Sequence, residues 1–179
     1  MALLGRFEDA KEVFTEAQNG ALELKNIPIQ AEVLSALADI ALKQGNLEDA
    51  LSMHNEALKN FIEIGDAMGA ARTYNNMGYL LRRRNDRTKA LESYGEVEAI
   101  LEQNDDVELI SSQLILARSF LDLGETERAR KHALDAFEKS DNSENQQIHA
   151  RAQAVLGRYH AKIGDLDVAS HHYSNALEA

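Results

Sequence analysis

Gly45-Asn46-Leu47-Glu48-Asp49-Ala50-Leu51-Ser52-Met53-His54 joins the end of one helical pattern to the start of another. Glycine and asparagine both tolerate the left-handed backbone with which helices end. Ala50, His54 and Ala57 then stand at i, i+4 and i+7, which is one face of a helix. The passage recurs along the chain. Its alanine returns as Ala10, Ala50, Ala90, Ala129 and Ala169, at spacings of 40, 40, 39 and 40. Five residues before each stands Gly5, Gly45, Asn85, Gly124 or Gly164. Four after come Phe14, His54, Tyr94, Ala133 and Tyr173, and seven after come Ala17, Ala57, Val97, Ala136 and Ala176.

A second helical pattern precedes each turn. Its members are Leu34, Leu37, Ala38, Ala41; Tyr74, Met77, Gly78, Leu81; Gln113, Leu116, Ala117, Phe120; and Gln153, Leu156, Gly157, His160. The third is always Ala or Gly, which lets another helix approach closely. The unit is therefore helix A, a tight turn and helix B, repeated along the chain.

Composition agrees. The chain has 179 residues, 44% of them hydrophobic, which suits one packed domain or one run of repeats. Zero cysteines exclude a disulfide framework and a cysteine nucleophile, and fit a reducing compartment. One proline and 10 glycines argue against an all-β chain. No apolar run approaches the roughly 20 residues of a membrane span, and the first residues do not form a signal peptide. A net charge of −11 disfavours general nucleic-acid binding. These features point to a soluble, helical, cytoplasmic protein with neither nucleic acid nor membrane as partner.

The repeat resembles the tetratricopeptide repeat. Leu37-Ala38, Met77-Gly78, Leu116-Ala117 and Leu156-Gly157 match the centre of that family's pattern, and Ala50, Ala90, Ala129 and Ala169 match its most characteristic alanine. The period of about 40 exceeds the usual length of about 34 and resembles the long-period variety found in kinesin light chains. Gln113 and Gln153 depart from the pattern, standing where a large apolar residue is usual. The resemblance implies an all-α fold, a right-handed α-solenoid of antiparallel helix pairs with about nine helices. The repeats would be a half repeat at 1–29, then 30–66, 67–104, 105–142 and 143–179. The ends, which lack a first helix A and a polar cap, are those expected of a piece of a longer protein.

In such arrays the A helices line the concave surface. The A segments 30–44, 67–84, 107–123 and 146–163 carry +5 in total, whereas the B segments 6–24, 46–64, 86–103, 125–139 and 165–179 carry −12. An acidic chain thus holds a basic inner wall, whose curvature would focus its field. Counting from each helix start places Glu32, Ser35, Asp39 and Lys43 in the groove. Arg72, Asn75, Asn76, Tyr79, Arg82 and Arg83 follow in the next repeat. Ser111, Leu114, Ile115, Arg118 and Asp122 come third, and Arg151, Ala154, Arg158 and Lys162 fourth. Arginine suits carboxylates, and an asparagine amide both donates to and accepts from a peptide backbone. Asn76, just before Met77-Gly78, stands where long-period members of the family place a peptide-clamping asparagine. The candidate peptide-binding residues are therefore Arg72, Asn75, Asn76, Tyr79, Arg83, Arg118, Arg151 and Arg158. The competing reading is structural. Arg82-Arg83-Arg84 suit a helix C-terminus, and Arg118, Arg151 and Arg158 could pair with acidic neighbours. The aromatics Phe14, Tyr74, Tyr94, Phe120 and Tyr173 fall on core positions.

His149, His160, His171 and His172 crowd the last repeat, but no pair has i, i+4 spacing and no carboxylate completes a metal motif. No phosphate-cradling glycine loop and no nucleophilic triad is suggested. The expectation is a non-enzymatic interaction module, without cofactor or metal, that binds an acidic partner peptide. The alternatives are a regulatory segment of a larger signalling or transcription protein, and a scaffold that dimerises through Phe7, Val13 and Phe14.

Overall fold

The computed structural model describes the backbone of residues 2–104, 109–141 and 145–178, with side chains from Glu8 onward. Among these residues there are nine α-helices and no strand: α1 (Ala2–Glu23), α2 (Ile27–Gln44), α3 (Leu47–Glu63), α4 (Ala67–Arg83), α5 (Arg87–Gln103), α6 (Ile110–Leu123), α7 (Thr126–Asp141), α8 (Gln146–Ile163) and α9 (Leu166–Glu178). The one departure from the expected pattern is at Gly5, where α1 runs through the residue instead of turning. Val107 and Glu108, expected to open a helix, lie outside the described residues.

Six turns between helices close in the same way. The residue after each reversal donates its N–H to the carbonyl five back: Asn26 to Ala21, Asn46 to Ala41, Asp66 to Phe61, Asp86 to Leu81, Glu125 to Phe120 and Asp165 to His160, all at 2.9 Å. That bond requires a left-handed residue before it. Gly45 (φ 85°) and Asn85 (φ 60°) supply it at the A–B turns of the first two full repeats. Asn26 and Asp66 then cap the next helix by accepting from the N–H of Ile29 and Gly69. Two-residue turns of this sort fold consecutive helices back as antiparallel pairs.

The chain divides into two compact units, residues 1–96 and 97–179. In the first, α1 packs on α2, α2 on α3 and α3 on α4. Ala31, Ala38, Ala50, Phe61, Leu80 and Tyr94 are buried there. In the second, α6, α7, α8 and α9 pack in succession, and α6 also meets α8. Its core joins Ile110, Leu114 and Ala117 to Ala133, Ala136, Ala152, Val155 and Leu156. Each large aliphatic side chain buried in this way contributes about 1.5–3 kcal/mol.

The repeated alanines occupy the tightest positions: Ala50, Ala90 and Ala129 are 0% exposed and Ala169 3%. Among the aromatics, Tyr94 and Phe120 are fully buried, Phe14 and Tyr74 half-buried, and Tyr173 is 41% exposed, so the core expectation fails for Tyr173. The two glutamines at apolar positions are buried as well. Gln153 is satisfied there by imidazoles: its Oε1 lies 2.7 Å from Nδ1 of His172 and its Nε2 3.4 Å from Nε2 of His149. Part of the histidine crowd of the last repeat is thus internal polar packing.

Candidate functional site

The A helices of the first unit, α2 and α4, bring Glu32 and Asp39 alongside Arg72 and Asn76. Arg72 donates through Nη2 to both carboxylate oxygens of Glu32, at 2.9 and 3.0 Å, and its guanidinium lies 5.6 Å from the Phe61 ring centre. Asn76 donates to Asp39 at 3.4 Å. Beneath them His54 is fully buried, its Nε2 3.8 Å from Asp39. Burial, with Arg72 adding to it, lowers the His54 pKa to about 4, so the ring is neutral at pH 7. Burial also raises the Asp39 pKa from its ordinary value, against the pull of Lys43 and Arg72.

This arrangement corrects two sequence expectations. Arg72 is not an uncompensated cation, because Glu32 already neutralises it. Asn75 is not on the groove face: it is 1% exposed, one position around the helix from the half-buried Asn76. Tyr79 and Arg83 do reach the surface. The Tyr79 ring lies 5.5 Å from the Arg82 guanidinium and 6.0 Å from that of Arg83, a cation–π pairing along one helix face.

The second unit is different. Arg118 on α6, with Arg151 and Arg158 on α8, borders a cleft of about 240 Å³. Leu114, Ala154 and Val155 form its apolar floor, and the exposed ring of Tyr173 on α9 closes one side. Arg158 is held by Asp122 at 2.5 Å. Among the described residues, Arg151 meets a neutral group, the Ser111 hydroxyl at 3.4 Å. Among the described residues, no carboxylate lies within ion-pair distance of Arg118. All three arginines had been placed in the groove by counting, and the structure brings them around one cavity. Tyr173 had been assigned to the core; its exposure had no signal in the sequence.

Sequence reading also passed over a part-buried ionic cluster in the second unit. Glu98 on α5 accepts from Arg128 through both oxygens and sits 2.8 Å from Nε2 of His132. The Arg128 guanidinium stacks 4.1 Å above the Phe120 ring. Burial alone would raise the Glu98 pKa, but the hydrogen bonds and charges of Arg128 and His132 outweigh it and lower it from its ordinary value. The members satisfy one another within the fold, so we read the cluster as structural.

Among the described residues, no three His, Asp or Glu side chains converge as a metal ion would need. Nor is any helix there long and apolar enough to cross a membrane. Val13, offered as part of a dimerising patch, is 63% exposed; Phe14 is half-buried and the Phe7 side chain lies outside the described residues.

Sequence profiles described as tetratricopeptide repeat match residues 29–103 and 114–179. No curated protein matches the chain. Solved structures share its fold at low identity. BtubC (BKLC) from P. vanneervenii superposes with a TM-score of 0.79 at 20% identity, over 99% of this chain and 74% of that one. The nearly identical TPR-like repeats of a Podosopora anserina protein described as a kinesin light chain give 0.71 at 14%, over 98% and 88%. A Rap protein solved in complex with Competence and Sporulation Factor gives 0.64 at 16%, over 84% of this chain and 43% of that one.

Proposed function

From the premise that this chain belongs to the tetratricopeptide-repeat family, a fold that serves protein–protein interaction, we propose a non-enzymatic module that binds an acidic segment of a partner protein on its A-helix face. The observation that carries the acidic preference is the cleft of the second unit, where two of three arginines lack a carboxylate partner among the described residues. Guanidinium groups beside an apolar floor hold a carboxylate by charge-assisted hydrogen bonds while its stem loses contact with water. Asn76, Tyr79 and Arg83 give the first unit exposed or half-exposed polar groups for further backbone and side-chain contacts. Asn75 drops out, and Arg72 contributes only if a ligand displaces Glu32. That a Rap protein of the same fold was solved with a bound factor supports a ligand-binding role for such a fold.

Fluorescence anisotropy with matched acidic and basic peptide mixtures tests this. Acidic peptides should bind more tightly, their affinity should fall as salt rises, and the Arg118→Glu, Arg158→Glu double variant should lose it. Equal binding of both mixtures, or indifference to the double variant, overturns the acidic preference.

A second reading, self-association, is favoured by the exposed apolar side chains of α1, where Val13 is 63% and Leu22 54% exposed. Light scattering across a concentration series tests it: a monomer that persists at high concentration removes the reading, and Val13→Glu should dissociate any dimer formed there.

A further inference from the structure

We infer that the cleft bordered by Arg118, Arg151 and Arg158 is a subsite for a phosphomonoester, the phosphorylated side chain of a partner peptide. The inference rests on the interaction-module reading above and goes beyond it in naming the group recognised.

Charge and space both lead there. Asp122 cancels one of the three positive charges at 2.5 Å. Among the described residues, Arg151 donates to a hydroxyl, at 3.4 Å, and to no carboxylate. Arg118 has no carboxylate within reach among the described residues. Among the described residues, two positive charges therefore face the cavity without a carboxylate partner. A single carboxylate carries one negative charge and leaves a guanidinium unmatched. A phosphomonoester carries about −1.5 to −2 at pH 7, with three acceptor oxygens. It matches the local charge and can take bonds from more than one guanidinium fork at once.

The cavity volume is about 240 Å³. At about 30 Å³ per molecule of liquid water, that is the space of about eight waters, enough for one side chain and too small for a length of chain. The walls fit an ester better than a free ion. Leu114, Ala154, Val155 and the Tyr173 ring offer apolar contact in the same cleft as the guanidiniums. A free phosphate ion would waste that surface, whereas an esterified phosphate places a carbon stem against it.

Three elements position the subsite. Arg118 and Arg158 stand one repeat apart on neighbouring A helices, α6 and α8. Arg151 lies two helical turns before Arg158 on α8, so the two project from the same side of the helix. Tyr173, on α9, packs its ring edge against Gly157, where a Cβ would stand 3.0 Å from the ring. The missing side chain at Gly157 thus seats the aromatic wall beside the arginines.

Isothermal titration of the full chain with three degenerate peptide mixtures tests the inference. One is centred on phosphoserine, phosphothreonine or phosphotyrosine, one on the same residues unphosphorylated, and one on glutamate. Phenyl phosphate and inorganic phosphate serve as small probes. The phosphorylated mixture should bind at least about tenfold more tightly than either other mixture, as charge-assisted bonds predict. Phenyl phosphate should bind more tightly than inorganic phosphate. Arg118→Gln and Arg151→Gln should each lower the phosphopeptide affinity by about tenfold, with circular dichroism unchanged because both side chains are exposed. Affinity should also weaken below about pH 6, where the phosphate becomes a monoanion. Equal binding of the glutamate and phosphorylated mixtures overturns the phosphate assignment and leaves the acidic-segment reading intact. Inorganic phosphate binding as well as phenyl phosphate overturns the ester. If no peptide mixture binds and the arginine variants change nothing, both readings fall together.

Discussion

The ring of Tyr94 on α5 occupies the space that a side chain on Gly78 of α4 would fill: a Cβ built there would overlap the ring, lying 2.6 Å from its Cζ. Gly157 and Tyr173 repeat the relationship more loosely, at 3.0 Å. The same two positions in the other repeats hold Ala38 with His54 and Ala117 with Ala133. Glycine on helix A thus accompanies tyrosine on helix B, and alanine accompanies a smaller side chain. The volume across the helix pair is shared between the two positions, as close packing requires.

Gly78→Ala should therefore destabilise the first unit in spite of alanine's better helix propensity, which is worth about 1 kcal/mol. The buried Tyr94 has no exposed direction in which to retreat, so the overlap should cost about 1–3 kcal/mol beyond that gain. Gly157→Ala faces a ring that is 41% exposed and free to shift, and should be near neutral or stabilising. Chemical denaturation of both variants reads the difference; equal effects would show that the Tyr94 contact does not constrain the pair.

His54 makes stability depend on pH with a definite sign. The unfolded chain takes up its proton near pH 6.5, the folded chain only near pH 4. The unfolded state therefore binds more protons between those values, and stability present above pH 6.5 is lost as pH falls towards 4. The contribution is at most about 3 kcal/mol. Arg72 opposes protonation, while Asp39, 3.8 Å away, softens the loss. His54→Leu should flatten the slope of melting temperature against pH across that window. An unchanged slope would show that the ring is not the titrating group.

Much of this architecture was legible because it is periodic. Ala50, Ala90, Ala129 and Ala169 mark one packing position repeated, and the turn residues Gly45, Asn85, Gly124 and Gly164 punctuate it with left-handed backbone. The same arithmetic reaches part of the site. Residues one period apart lie side by side on adjacent A helices, as Glu32 lies by Arg72 and Ser111 by Arg151, each 40 residues apart. One turn short of a period also brings partners together, as with Asp122 and Arg158, 36 apart. Net charge per helix hides this pairing. It counted Arg72 as a free cation when its partner stood exactly one repeat upstream. Asn75 was misplaced for a different reason: helix phase is uncertain by one residue, and one residue turns a side chain by about 100°. The Glu98 cluster joins residues 30 and 34 apart, which match no multiple of the repeat, and so gave no signal.

That cluster should act as a unit. Glu98→Gln leaves Arg128 and the buried His132 without their carboxylate and should cost about 1–3 kcal/mol at pH 7. For a chain of this length that lowers the melting temperature by about 2–4 °C per kcal/mol. The Glu98 pKa lies below its ordinary value, so the cluster's stability is present above pH 4.5 and is lost as pH falls through the lower folded value. The gap between the two proteins should therefore narrow at low pH. A gap that stays constant from pH 7 to pH 3 would mean that packing, not charge, is what the substitution disturbs.

Arg72 and Arg118 both stand on A helices, α4 and α6, and among the described residues only Arg72 of the two has a carboxylate locked to it in two bonds, at 2.9 and 3.0 Å. Their substitutions should consequently diverge. Arg72→Gln removes a cation that Glu32 already neutralises, and should leave the affinity for acidic peptides within about twofold, since exposed pairs are worth about 0–1 kcal/mol. Arg118→Gln removes a charge with no carboxylate partner among the described residues, beside an apolar floor, and should cost about tenfold, the scale of a charge-assisted hydrogen bond. Glu32→Gln is the complementary change: it releases Arg72 and should strengthen acidic-peptide binding, most at low salt. Anisotropy titrations of the three variants at two salt concentrations separate these outcomes. A loss at Arg72→Gln as large as that at Arg118→Gln would show that Glu32 yields to the ligand and that the first unit contributes to binding as fully as the second.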